Sequence, residues 1–176
     1  MARRLRIPRR LALGLALFPT LALATVAVPT ASAGATTVPF RATIAETFTI
    51  NPACFPARLC GDITGSGHGS HLGKIGESAA IVSYLSTPLG GGCFPETRTT
   101  TLTAANGDEL TLAAAGTNCP TSPTTVAASD TFTVTGGTGR FVGASGSGTV
   151  SATVDLATST AVVTLSGVLS SPGSLK

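Results

Sequence analysis

The chain of 176 residues has no tryptophan, one tyrosine and one methionine, and only 11% of its residues are charged. With so little aromatic stacking surface and no basic patch, nucleic acid is not an expected partner. Histidine is equally scarce, with His68 and His71 the only two. Three residues apart, they would point to opposite faces of a strand, which speaks against a two-histidine metal site. No C-x-x-C pair occurs among the four cysteines, which disfavours zinc. No segment reads as a convincing helix. Neither a metal nor a cofactor is expected.

What is present begins with an address. Arg3, Arg4, Arg6, Arg9 and Arg10 precede a mostly apolar run from Leu11 to Val28, and Ala31-Ser32-Ala33 forms a small-residue cleavage site before Gly34. That order is expected of a secretory signal peptide over residues 1–33. A membrane anchor is the alternative. The run is marginal in length for a span and Pro19 interrupts it, so no stable membrane span is expected after cleavage. Arg9-Arg10 raises the twin-arginine export route, although Ala12 and Leu13 fit that pattern poorly. The formal charge of +3 belongs to this segment, because five of the eleven basic residues lie in it. The six that remain face eight acidic residues.

The remaining chain, about 140 residues, is long enough for one domain with a real core. All four cysteines lie in it, and an even count in an exported chain reads as two disulfides. Of the three possible pairings, Cys54–Cys60 and Cys93–Cys119 are favoured, because each would close a proline-containing loop between strands. Cys54 and Cys93 each open a Cys-Phe-Pro triplet.

Residues 34–39 read as a flexible lead, 40–170 as the folded domain and 171–176 as a C-terminal tail. Within the domain, Val, Ile, Thr and Phe alternate with polar residues, punctuated by Gly, Pro and Asn. Strands are expected at 40–50, 59–67, 71–86, 97–104, 108–116, 126–135, 140–155 and 159–169. Asn106-Gly107 is a hairpin signal, since both residues tolerate positive φ. In TVSATVDL, Val150, Ala152, Val154 and Leu156 share one face. Eight strands linked by hairpin-length connections predict an all-β, closed antiparallel up-and-down barrel, with a β-sandwich as the alternative.

The stretch TGGTGRFVGASGSG, Thr135 to Gly148, holds six glycines. It fails as a phosphate loop: Arg140 and Phe141 stand where Lys and Ser/Thr are needed, and a β-pattern follows instead of a helix. Gly137, Gly139 and Gly143 are spaced one residue too long for a dinucleotide fingerprint. A turn fits better. Gly136, Gly137 and Gly139 can take backbone angles closed to other residues. Gly143, Gly146 and Gly148 suit bulges or close packing in the next strand. Arg140 would cover the turn and bond its carbonyls, and Phe141 would pin the strand to the core.

This stretch resembles the glycine-turn motif of allene oxide cyclases and dirigent proteins, and more closely that of small secreted bacterial proteins of the same barrel type. GSGHGSHLGK, Gly65 to Lys74, is similar to a second segment of those bacterial proteins. The resemblance implies an eight-stranded barrel with an apolar cavity. It transfers no activity, because the plant enzymes' catalytic residues have no matching positions here.

Candidate chemistry is thin. Gly143-Ala144-Ser145-Gly146-Ser147 lacks the last glycine and the helix of a serine-hydrolase elbow. Glu46 interrupts the apolar face Phe40, Ala42, Ile44, Phe48, Ile50, where a carboxylate is costly unless paired or protonated. Glu77 interrupts a similar face of the third strand, and His71 has its parity. If both faces point inward, Glu46, Glu77 and His71 line one barrel mouth and could serve proton transfer. Otherwise these faces look outward, or Arg41 or Arg98 neutralises the charge. Thr97, Thr99 and Thr101 read as solvated sheet surface.

The expected protein is therefore secreted, non-catalytic and disulfide-stapled, and it binds a small apolar ligand or serves a structural or interaction role outside the cell. A dirigent- or cyclase-like enzyme that steers a reactive intermediate is the alternative. Self-association into a homo-oligomer is a third possibility.

Overall fold

Each of the eight alternating segments forms a strand in the computed structural model, which describes residues 36–170. The segments expected to be a signal peptide and a C-terminal tail lie outside the described residues. The strands are β1 (Thr37–Asn51), β2 (Leu59–Gly69), β3 (Gly73–Ser83), β4 (Phe94–Ala104), β5 (Glu109–Pro120), β6 (Thr125–Gly137), β7 (Gly146–Asp155) and β8 (Thr160–Ser170). They form a closed barrel in sequence order, every neighbour antiparallel, with β1 paired to both β2 and β8. Closure leaves no strand edge unpaired, and it replaces the sandwich.

Strand β1 begins at Thr37, so residues 37–39 are not a flexible lead; Thr37 pairs with Ser170 and Val38 packs on the core. The expected strand from 71 starts instead at Gly73, because His71 sits in the β2–β3 turn with φ 66°. At Asn106-Gly107 only Gly107 takes positive φ. Asn106 acts through its side chain, accepting from the Asp108 N–H at 3.3 Å and donating to the Asp108 carboxylate at 2.7 Å.

The glycine stretch does turn a corner, but the strand after it starts later than expected. Gly136 and Gly137 end β6, residues 139–141 form a single 3-10 turn, and β7 begins only at Gly146. Gly139 and Gly143 both have positive φ, 54° and 73°, conformations a side chain would strain. Gly143 therefore belongs to the turn and not to the strand. Arg140 does not bond the turn's carbonyls. Its Nε lies 3.6 Å from Asp108 Oδ2, and its guanidinium stacks over the Phe141 ring at 4.9 Å. The turn carries Phe141 into the barrel, where it is fully buried.

These connections make the two ends of the barrel different. One end, where β1 starts and β6 leads to β7, is packed solid by Phe40, Phe132, Phe141, Leu72, Leu110 and Leu169. Phe40 and Phe132 meet edge to face at 6.1 Å. The other end carries both disulfides. Cys54–Cys60 closes the β1–β2 loop, with sulfurs 2.11 Å apart. Cys93–Cys119 does more than close a loop: it ties the segment before β4 to the end of β5, at an S–S distance of 2.08 Å. Each bond contributes about 2–4 kcal/mol by restricting the unfolded chain.

Candidate functional site

The disulfide end opens into a cavity of about 230 Å³. Its upper wall is apolar, built from inward residues such as Phe48, Ile81, Phe94, Val126, Val154 and Leu156. Ile50, Phe55, Leu89 and Leu156 are more than two-fifths exposed and stand on the strands and loops of this end, giving the mouth an apolar rim. The volume sits just under the roughly 300–1,000 Å³ usual for small-molecule sites.

The floor is a layer of buried charge. Glu46 on β1, Glu77 on β3, Glu96 and Arg98 on β4 and Asp130 on β6 are each no more than 8% exposed. Strand alternation puts them there, since each follows its neighbours' inward parity. Two registers bring the carboxyls together in pairs. Glu46 and Glu77 both lie opposite Gly65 of β2, and Glu96 and Asp130 both lie opposite Gly116 of β5. The glycines leave the room the carboxyls occupy: a Cβ at Gly65 would stand 2.7 Å from Glu77 Oε2, and one at Gly116 would run into Asp130.

Arg98 serves the first pair. Its Nη2 donates to Glu46 Oε1 and, at 2.5 Å, to Glu77 Oε1; its Nε donates to Thr100 at 2.9 Å. Burial works against the guanidinium's charge, but the bonds to Glu46 and the two carboxylates outweigh it and hold Arg98 more firmly protonated than usual. Burial pushes Glu77 up to about 7, Arg98 opposing and Glu46 adding to the rise.

The second pair has no guanidinium bonded to it. Glu96 and Asp130 lie within hydrogen-bonding reach of each other. Burial first, and then the Asp130 charge, push Glu96 up to about 8. Asp130 is also raised by burial, against the pull of Glu96, Arg98 and the Thr117 N–H. Asn118 completes the group, its amide nitrogen donating to Glu96 Oε2 and, at 3.0 Å, to Ser83 Oγ. At neutral pH Glu96 therefore carries a proton and Asp130 faces it.

Of the residues singled out in the sequence, the fold brings Glu46 and Glu77 together, with Arg98 between them. His71 does not join them. It lies exposed on the β2–β3 turn at the packed end, its Nε2 3.1 Å from the Pro39 carbonyl. Arg41 and His68 are exposed as well. Glu96, Asp130 and Asn118 escaped the sequence reading. Parity could have found them: if Thr97, Thr99 and Thr101 face water, then Glu96, Arg98 and Thr100 face inward, and Phe132 carries Asp130 with it.

No known family, curated protein or solved structure matches this chain significantly, and the resemblance noted above rests on the glycine motifs alone.

Proposed function

We propose that the protein is an exported binding protein that holds a small, largely apolar molecule in the open half of its barrel. The observation that carries this reading is the cavity itself: about 230 Å³, walled by aliphatic and aromatic side chains and rimmed by exposed apolar residues. The packed opposite end makes it a cup and not a channel. Two disulfides at the mouth support both an oxidising location and a mouth that keeps its shape. The neutral fluorophore N-phenyl-1-naphthylamine is expected to bind saturably. Filling the cup with Ala128→Phe plus Ala152→Phe is expected to abolish that signal while the far-ultraviolet circular dichroism stays unchanged. Undiminished binding in the filled variant would refute the site.

A second reading, a barrel that steers a reactive intermediate, draws on the floor. A protonated Glu96 beside Asp130 is the arrangement proton transfer requires, and both residues line the cavity. Under that reading Glu96→Gln or Glu46→Gln would abolish a turnover. A turnover insensitive to both would remove it.

A further inference from the structure

The floor has more acceptors than donors. Arg98 is the one cation facing it among the described residues, and its bonds go to Glu46, Glu77 and Thr100. On the β4–β6 side, Asp130 is 5% exposed and its Oδ1 has no hydrogen-bond partner. Asn118 Oδ1 is buried and unpartnered too, because the amide nitrogen is turned to Glu96 and Ser83. Both residues line the cavity. A buried acceptor without a donor is costly, and a buried carboxylate without one more so. A ligand that brings donors and positive charge relieves both costs. One that brings a carboxylate or phosphate would add negative charge beside Asp130 and find no free cation, since the Arg98 bonds go to Glu46, Glu77 and Thr100.

We propose that the cavity selects small amphiphiles with a basic nitrogen, the protonated amine seated against Asp130, Glu96 and Asn118 and the apolar body lying along the upper wall. This rests on the reading of the barrel as a binding protein and names its ligand class. Burying an ammonium is unfavourable unless it is paired and fully hydrogen-bonded. The floor offers its three N–H donors a carboxylate, a carboxyl and an amide oxygen. The uneven distribution of charge also gives orientation. Arg98 bonds both Glu46 and Glu77, leaving only Glu77 Oε2 without a partner in that half, whereas Glu96 with Asp130 forms the half that lacks a cation.

The test compares three probes of one chain length on the full protein: n-octylamine, n-octanol and n-octanoate, by displacement of N-phenyl-1-naphthylamine. At pH 7.5 the amine is expected to bind about tenfold or more tightly than the alcohol, the scale of one charge-assisted hydrogen bond, with octanoate weakest. Asp130→Asn is expected to bring the amine to the level of the alcohol while octanol stays within about twofold. Amine affinity is also expected to rise from pH 6 to 8.5, and octanol to stay flat. The titratable and charged groups facing the floor are Glu46 on β1, Glu77 on β3, Glu96 and Arg98 on β4 and Asp130 on β6; β2, β5, β7 and β8 bring none. Glu96→Gln, which keeps the bond from Asn118, is expected to flatten that rise, and it serves where Asp130→Asn does not fold. Octanol or octanoate binding as tightly as the amine, or Asp130→Asn weakening all three alike, overturns the head-group assignment and leaves the cup standing. If none of the three displaces the fluorophore and the fluorophore itself does not bind, the binding reading falls with it.

Discussion

Replacing Glu96 by glutamine should stabilise the barrel at alkaline pH and change nothing in acid. In the fold burial holds Glu96 near 8, against an ordinary value of 4.5. Below about pH 4.5 the residue is protonated in both the native and the unfolded chain, so it costs nothing. Between 4.5 and 8 the unfolded chain releases the proton while the native barrel keeps it, and stability falls as pH rises. Above about 8 the loss is complete. At about 1.4 kcal/mol for each pH unit spanned, the whole effect is roughly 3–5 kcal/mol. Glutamine imitates the protonated acid: its oxygen accepts from Asn118, and its amide nitrogen donates toward Asp130. Urea unfolding followed by far-ultraviolet circular dichroism, disulfides intact, measures the difference. At pH 8.5 the variant's midpoint should lie about 1–3 M urea above that of the natural protein, given typical slopes for small domains. At pH 4.5 the two midpoints should coincide. Parallel stability curves across this range would refute the reasoning, because they would mean that Glu96 ionises as freely in the barrel as in water.

Three further outcomes follow from the same structure. Arg98→Met removes the guanidinium between Glu46 and Glu77 and should destabilise by about 3–5 kcal/mol at pH 8, with the loss shrinking toward pH 4.5 as Glu77 takes up its proton; urea midpoints at the two pH values measure this. Phe141→Ala, which empties the plug of the closed end, should cost about 3–5 kcal/mol, read as a fall in thermal midpoint. Replacing Cys93 and Cys119 together by serine should cost about 2–4 kcal/mol and, by loosening the mouth, weaken N-phenyl-1-naphthylamine binding, whereas Phe141→Ala at the far end should leave that binding intact.

The architecture was legible because its signals are local. Alternation in TVSATVDL and in the run from Phe40 to Ile50 sets the inward face residue by residue, and a register slip would turn the whole face to water. The boundaries were less so. The β-pattern after Gly139 hid the single 3-10 turn that carries Phe141 inward, because the positive φ at Gly139 and Gly143 depends on the path the chain must take to reach β7. The site was half legible. Glu46 and Glu77 stand out as acids within apolar faces. Glu96 sits in a threonine-rich strand where, after Phe94 at its start, no apolar neighbour marks the inward side until Leu102. Asp130 shares the parity of Phe132 and Val134 within the expected strand, but between Ser129 and Thr131 it stands in a polar run that marks neither face. What joins the four acids is cross-strand register, with Gly65 and Gly116 as the spaces between them, and a pairing made across the barrel cannot be read along one strand. His71 shows the opposite error: it has the parity of Glu77, but the strand had not yet begun.

Carboxyl-carbon nuclear magnetic resonance, followed from pH 3 to 10 on the folded protein, tests most directly whether burial holds the cavity floor partly protonated at neutral pH. We expect the Glu77 side-chain carbon to titrate near 7 and that of Glu96 near 8, with Asp130 displaced upward in step with Glu96. Midpoints for all three in the ordinary range of free aspartate and glutamate would contradict the claim.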